Sequence, residues 1–213
     1  KNARRYKELT GKLTVRATLT KESLSKLETI LEYFAEIGAT LIQLEPVYPS
    51  GRGIFVNDLI PSKEEWIDGM VKALKWARLK NRVIQFTPFV FGFRPGVYYC
   101  GATSSSTIIV NHNGEITVCA EVVDASHPLW ETFRVGKIQN GSFYINQKKL
   151  DEISKSVNEM NICKNCFARY ICRGGCVIQR IKKGGIDMPD PDYCYFVKTM
   201  LYVLIKRSLE ESY

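Results

Sequence analysis

The chain has 213 residues, of which 45% are hydrophobic and 24% charged, and its net charge is +8. This length and apolar content predict one or two folded domains and exclude a disordered chain. No apolar run reaches the ~20 residues that a membrane span needs. Residues 1–5 lack an initiator Met and an apolar signal region, so we expect a cytoplasmic chain that is a piece of something longer. Its basic residues are spread out, which argues against a nucleic-acid partner.

The first half of the sequence alternates strand-like and helix-like segments. A helix with one apolar face is predicted over residues 24–34, with Gly38 suited to its C-terminal cap. Ser62 and Glu65 form a capping box that opens a second helix. The strand-like segments are residues 13–19, 40–45 and 83–86. This order predicts parallel strands joined by right-handed crossovers, and three strands are few for a complete barrel. We therefore expect the last part of a larger, partial β/α barrel.

The second half has less regular pattern. Asn113-Gly114 is a strong hairpin-turn signal between two β-branched runs. A further strand is predicted at residues 135–138, a helix at 151–160, and an amphipathic C-terminal helix from Pro191 onward. Pro and Gly interrupt the chain at residues 92–96. We therefore predict two domains, residues 1–92 and residues 93–213, the second a small irregular α+β domain with a β-hairpin.

All of the cysteines lie in the second half. They are Cys100, Cys119, Cys163, Cys166, Cys172, Cys176 and Cys194. The odd count and the cytoplasmic character of the chain disfavour disulfides. Zinc is an alternative, because any four thiolates can close a tetrahedral site, but zinc ribbons present two Cys-x2-Cys knuckles and this chain has one. Closely spaced thiolates favour iron–sulfur clusters, and seven of them fit two clusters better than one zinc ion.

The cysteine pattern resembles the SPASM domain, the C-terminal extension of radical S-adenosylmethionine (SAM) enzymes that mature peptides and proteins. The shared elements, in order, are a Cys, a Gly, a Cys beyond that Gly, the run Cys-x2-Cys-x5-Cys-x3-Cys, and a late Cys. The resemblance covers Cys100 to the C-terminus. Residues 13–86 look like the final strands of the partial barrel in the same enzymes.

The resemblance implies two auxiliary [4Fe-4S] clusters. The distal cluster would be held by Cys163, Cys166, Cys172 and Cys194, and the proximal cluster by Cys100, Cys119 and Cys176. The hairpin at Asn113-Gly114 would return Cys119 to the neighbourhood of Cys100. Gly174-Gly175 would let the backbone bend between ligands of the two clusters.

Two departures from related enzymes bear on the substrate. Some relatives have a further Cys about six residues after the first, where this chain reads Ser104, Ser105 and Ser106. Sulfatase-maturing enzymes carry a carboxylate directly after the hairpin Cys, where this chain has Ala120, with Glu121 one position on. Both departures favour a peptide maturase over a sulfatase-type protein maturase. The first departure also implies an open iron on the proximal cluster, which could hold a substrate thiolate.

The sequence contains no Cys-x3-Cys-x2-Cys, the motif that binds the radical-generating cluster in this family. SAM and a third [4Fe-4S] cluster would therefore require a missing N-terminal half, and the chain alone should be inactive. The expected partners are a ribosomally made precursor peptide, that N-terminal half and an electron donor, with no membrane. The alternative of another class is a zinc-stabilised binding module with a basic surface.

No catalytic residue is assigned from the sequence. His112 lies in the hairpin turn, and a solvated, turn-stabilising role is favoured over iron ligation. His127 precedes a proline and is expected in a loop. Arg16 and Glu45 lie on predicted strands, where they could face a reaction chamber or form a structural ion pair.

Overall fold

The computed structural model describes residues 2–50, 53, 55–89 and 94–210. It is a mixed α/β chain with one parallel and one antiparallel sheet. Its contacts divide it into two compact units, Lys1–Phe93 with Tyr195–Tyr213, and Arg94–Cys194. The predicted boundary at residues 92 and 93 lies outside the described residues. The C-terminal segment from Tyr195, which the sequence prediction gave to the second domain, groups with the first unit.

The first unit contains a parallel sheet and its covering helices. Its elements are α1 (Asn2–Thr10), β1 (Thr14–Leu19), α2 (Lys21–Ser25), α3 (Leu27–Glu36), β2 (Leu41–Pro46), a 3-10 turn at Asn57–Leu59, α4 (Lys63–Leu79) and β3 (Val83–Gln85). Within the described residues the strand order is β1-β2-β3, and Leu41 pairs with both Thr14 and Val83. The predicted parallel β-α-β order is confirmed.

Local capping explains where the helices begin. Ser62 Oγ accepts a hydrogen bond from Glu65 N at 3.1 Å, and Glu65 Oε2 accepts one from Ser62 N at 2.8 Å, so the predicted capping box is confirmed. The helix predicted over residues 24–34 is in fact two helices. A capping box at Thr20 starts α2, and Lys26 leaves the helical region with φ of −111°, which separates α2 from α3. The sequence prediction also missed α1.

The core of the first unit lies between its sheet and the helices. Leu31, Ile42, Leu44 and Met70 are fully buried or nearly so. Phe86, directly after β3, packs edge-on against Phe89 and Phe196, with ring centroids 5.4 and 6.1 Å apart. Burial of this apolar area is the main force that holds the strands against the helices.

The second unit is built on an antiparallel sheet. Its elements are β4 (Ile109–Val110), β5 (Glu115–Thr117), α5 (Trp130–Phe133), β6 (Arg134–Gln139), β7 (Ser142–Ile145), α6 (Gln147–Ile153), 3-10 turns at Val157–Glu159 and Asn161–Cys163, α7 (Arg169–Cys172) and α8 (Val177–Lys183). A final helix, α9 (Pro191–Glu210), begins in this unit and continues into the first. The sheet order is β4-β5-β6-β7 over the described part of the chain.

Turns decide the pairing in this sheet. The predicted hairpin is confirmed, with Gly114 at φ of +74° between β4 and β5. A second turn, Asn140-Gly141, joins β6 to β7 with both residues at positive φ, and the sequence prediction missed it. The helix predicted over residues 151–160 is wrong. Its first part ends at Ile153, because Ser156 caps a separate 3-10 turn instead of continuing the helix.

The core of the second unit brings the cysteines onto rigid elements. Ile116, Phe133, Val177 and Ile178 are almost fully buried, and Cys119 and Cys176 pack against this cluster. A smaller cluster contains Val157, Met160 and Cys163. In the described residues, no helix combines the length and hydropathy needed to cross a membrane.

Candidate metal centre

All seven cysteines belong to the second unit, and all are free thiols. Cys163 and Cys172 are buried, Cys100 is exposed, and the others are half-buried. Cys119 comes two residues after β5, and Cys172 is the last residue of α7. Cys176 directly precedes α8, and Cys194 lies in the first turn of α9.

Three of the thiols lie close together. Burial raises the pKa of the Cys119 thiol, and the neighbouring Cys176 and Cys100 raise it further. Burial also raises the pKa of the Cys176 thiol, with a further contribution from Cys100. Such mutual effects require short separations, because Coulomb interactions decline with distance. These three cysteines are the ones that the sequence resemblance gives to the proximal cluster.

The other four thiols form a second neighbourhood. Burial raises the pKa of the Cys172 thiol to about 12, and Cys194, Cys163 and Cys166 all add to the rise. These four are the cysteines that the resemblance gives to the distal cluster. A neutral thiol releases its proton when it binds a metal, so the raised pKa of Cys172 makes metal binding there dependent on pH.

Backbone N–H groups point at three of the sulfurs. The donors are Glu121 to Cys119, Gly174 to Cys172, and both Ile178 and Gln179 to Cys176. Each of these hydrogen bonds lowers the thiol pKa, against the larger effect of burial. Hydrogen bonds to ligand sulfur tune iron–sulfur clusters in proteins. The thiol set and its N–H donors therefore fit thiolate-ligated clusters, since soft sulfur donors suit iron–sulfur centres.

The cysteine side chains do not by themselves form a site for a single metal ion. Among the described residues, no three His, Cys, Asp or Glu side chains are arranged to hold a single metal ion. The assignment of the seven cysteines to two clusters therefore stays a prediction. What the structure adds is that Cys100 and Cys176 influence the Cys119 thiol, while Cys163, Cys166 and Cys194 influence the Cys172 thiol.

Thr103 organises the turn around Cys100, and sequence reasoning missed it. This residue is fully buried. Its hydroxyl oxygen accepts hydrogen bonds from Tyr99 N and Cys100 N at 3.0 and 3.1 Å and donates to Cys100 O at 2.9 Å. A Thr three residues after a Cys at a chain turn is a local ST-motif pattern, which is the signal that could have identified it.

The serine segment lies next to the same turn. Ser104 Oγ donates to Cys100 O at 3.2 Å and lies 2.9 Å from Ser106 Oγ. Ser105 Oγ donates to Ser154 Oγ. All three hydroxyls thus have hydrogen-bond partners in the protein itself.

Glu121, two residues after Cys119, lies beside two basic side chains. The Glu121 carboxylate lies 3.1 Å from Lys182 Nζ and 3.8 Å from His127 Nε2. His127 Nδ1 accepts a hydrogen bond from Leu129 N at 3.1 Å, which fixes the ring beside its loop. His112 is exposed, as its place in the hairpin turn predicts.

A second polar group lies at the carboxyl end of the parallel sheet. Glu45 is 6% exposed, and its Oε1 accepts hydrogen bonds from Thr87 Oγ1 at 2.7 Å and Gln43 Nε2 at 3.2 Å. Arg16 is exposed on β1, where it pairs in register with Gln43, and it forms no ion pair with Glu45. The carboxyl end of parallel strands is the usual place for ligands in α/β proteins.

No protein-family model and no curated protein matches this chain. Among solved structures, it is similar to native anSMEcpe with bound AdoMet and Cp18Cys peptide, with a TM-score of 0.59 and 14% identity over 92% of this chain and 57% of that one. The same enzyme with bound AdoMet and Kp18Cys peptide gives 0.56 and 16% over 92% and 56%. Streptococcus suis SuiB bound to S-adenosylmethionine gives 0.49 and 14% over 90% and 47%.

The likeness to the two anSMEcpe structures confirms the sequence resemblance at the level of the fold. The chain spans little more than half the length of those proteins. Fold and site together define a class: a mixed α/β chain whose second unit holds seven free thiols.

Proposed function

We propose that this chain is the auxiliary-cluster portion of a radical SAM/SPASM enzyme that modifies a ribosomally made peptide. The observation that carries the proposal is the electrostatic influence of the thiols on one another: Cys100 and Cys176 act on Cys119, and Cys163, Cys166 and Cys194 act on Cys172. The SPASM pattern predicts these two sets of neighbours, although Cys172 and Cys176 are only four residues apart in sequence. The bound AdoMet and peptide of the similar structures support the same class of activity.

In the proposed enzyme each group of thiols holds one [4Fe-4S] cluster. When bound, the clusters would accept an electron or hold a substrate sulfur. The protein contributes the thiolates, the backbone N–H donors to three of them, and the apolar packing that keeps water from the buried ligands Cys163 and Cys172. The first unit would contribute the polar end of its parallel sheet, including Glu45, to the reaction chamber of a partial β/α barrel.

The proximal group supplies one thiolate fewer than the distal group. With Cys100, Cys119 and Cys176 as its ligands, one iron of a four-iron cluster has no protein thiolate. Hydroxyls compete poorly for such an iron, since thiolate is the preferred donor, and the hydroxyls of Ser104 and Ser106 already bond each other. We therefore propose that a substrate cysteine binds there, which would suit thioether or another crosslink.

Complete activity requires more than these residues supply. The radical-generating cluster and SAM would be held by the Cys-x3-Cys-x2-Cys half of the family, which is absent from the 213 residues. The proposed partners are that half, an electron donor and the precursor peptide. The chain alone should not cleave SAM.

Anaerobic reconstitution of the full chain with iron and sulfide tests the proposal. We expect a brown protein with about eight iron and eight sulfide ions per chain, as two [4Fe-4S] clusters require. Cys176→Ser and Cys194→Ser should each lose about half of the iron, from different clusters, whereas the control Ser104→Ala should keep all of it. Stoichiometric zinc without sulfide in anaerobically isolated protein would refute the proposal in favour of a zinc-stabilised module.

A cysteine-containing peptide tests the open iron separately. Its addition should change the spectrum of one cluster, and Cys176→Ala should lose that response while the distal cluster remains. A fourth protein ligand on the proximal cluster, whether His112, Glu121 or a serine, would contradict this part of the proposal.

A further inference from the structure

Arg180 is a buried cation without a carboxylate partner. It lies on α8, one turn after Cys176, whose carbonyl accepts the Arg180 N–H at 3.0 Å. The residue is 1% exposed. Its Nη1 donates to Met160 Sδ at 2.9 Å, and its Nε is buried with no hydrogen-bond partner. In the described part of the chain, no Asp or Glu lies within ion-pair distance of this guanidinium.

This arrangement is unfavourable for the protein as it stands. A thioether sulfur is a weak acceptor, and a guanidinium has five N–H donors to satisfy. A buried charge is costly unless it is paired and hydrogen-bonded, and a buried N–H without a partner adds to that cost. Burial accordingly lowers the pKa of Arg180. A feature of this kind indicates a partner that the side chain meets only when the site is loaded.

The surroundings of Arg180 identify that partner. Arg180 lies one turn after Cys176 on α8, and it donates to Met160, which packs in one buried cluster with Cys163. Asp187, an acidic group that favours the charged arginine, is already paired with Lys155 at 2.8 Å. Cys176 is one of the three cysteines expected at the proximal cluster, and Cys163 is one of the four expected at the distal cluster. Arg180 therefore lies close to expected ligands of both clusters.

We propose that Arg180 is the shared counter-cation of the two auxiliary clusters, its N–H groups directed at their sulfur atoms. The inference rests on the proposed function, because thiolate-ligated clusters supply the negative charge that the arginine lacks. Arg180 is a positioning and tuning residue and does not touch substrate. Net charge and hydrogen bonds to sulfur are two of the properties that set cluster reduction potentials.

The sign of the effect follows from charge. Reduction adds an electron to a cluster, so a nearby buried cation favours the reduced form and raises the reduction potential. Removal of the cation should lower the potential of both clusters. Because Arg180 is buried and unscreened, we expect at least a tenfold change in each reduction equilibrium, which corresponds to about 59 mV for one electron.

The experiment uses the full chain, reconstituted anaerobically, with iron and sulfide content measured first. Both clusters are then titrated by electron paramagnetic resonance in wild type, Arg180→Met, Arg180→Lys and the control Lys148→Met. Met removes the charge and keeps an unbranched side chain, and Lys keeps the charge. Lys148 is an exposed residue of α6, and its loss removes the same charge from a screened position.

The expected result is a fall of at least tenfold in both reduction equilibria for Arg180→Met, with Arg180→Lys and Lys148→Met close to wild type. Loss of clusters from Arg180→Met but not from Arg180→Lys would also support the proposal. Unchanged potentials, a shift confined to one cluster, an equal shift in Lys148→Met, or loss of clusters from both Arg180 variants would overturn it. Absence of clusters from the wild-type protein would instead refute the proposed function.

Discussion

Gly174 separates Cys172 from Cys176, and its replacement by Ala should damage the site. Its φ of +79° lies in the left-handed region, and an added Cβ would lie 2.7 Å from Met160 Sδ and 3.7 Å from Arg180 Nη1. Met160 is 1% exposed and accepts the Arg180 hydrogen bond. Gly141, in the turn between β6 and β7, is a matched control. It has φ of +73°, and no described atom lies within 4 Å of its added Cβ.

Both substitutions place a side chain in the left-handed region, but only Gly174→Ala also creates a steric overlap. A non-glycine residue in the left-handed region costs about 1–2 kcal/mol, and both variants should show this loss. Gly174→Ala must also displace a buried sulfur, and overpacking of this kind costs about 1–3 kcal/mol. At roughly 3 °C per kcal/mol for a chain of this size, Gly141→Ala should lower Tm by about 3–6 °C and Gly174→Ala by about 6–15 °C.

Thermal melting of the reconstituted protein, followed by circular dichroism at one fixed scan rate, measures both effects. Iron content should fall in Gly174→Ala and stay at the wild-type level in Gly141→Ala. The double variant of Gly174→Ala and Met160→Ala should lower Tm by less than the sum of the two single variants, because truncation of Met160 removes the overlap. Equal Tm values for the two glycine variants, or simple additivity in the double variant, would refute the steric explanation.

Three further outcomes are expected. Thr87→Val removes a hydrogen bond to the buried Glu45 carboxylate and should lower Tm of the first unit by about 4–9 °C; an unchanged Tm would show that the carboxylate is solvated. Ser156→Ala removes the cap that Glu159 completes and should cost about 1 kcal/mol in chemical unfolding, whereas the exposed control Ser142→Ala should cost almost nothing; equal losses would contradict the capping role. Removal of iron by a chelator should lower Tm of the second unit and increase amide exchange across residues 163–194, because metal ligation contributes to folding; an unchanged melt would contradict this.

Much of the architecture follows from local sequence. A β-branched run bounded by Gly11 predicted β1, a strand-like run ended by Pro46 predicted β2, and the capping box of Ser62 and Glu65 predicted the start of α4. Asn113-Gly114 predicted the first hairpin because its residues accept a turn that few others adopt. The same turn signal is present at Asn140-Gly141, where the sequence prediction had no hairpin.

Other features depended on competition between local signals and packing. The predicted helix over residues 151–160 has good helix-forming residues, but Ser156 bonds Glu159 and starts a new turn. Lys26 interrupts the first predicted helix, where its φ of −111° separates α2 from α3. At Ser156 a short polar side chain competes with the continuing helix for hydrogen bonds.

The sequence by itself determined how many cysteines the second half carries and how they are spaced, and the prediction of cluster chemistry came from that local property alone. Tertiary structure alone decided what surrounds those thiols. Arg180 belongs to a basic segment that ends with Lys182 and Lys183. From the sequence alone, such a segment is expected to be exposed to solvent. Helical periodicity on α8 turns Arg180 inward beside Met160, while Lys182 reaches Glu121 at the surface. Burial depends on what packs against a helix from distant parts of the chain, and no local pattern contains that information.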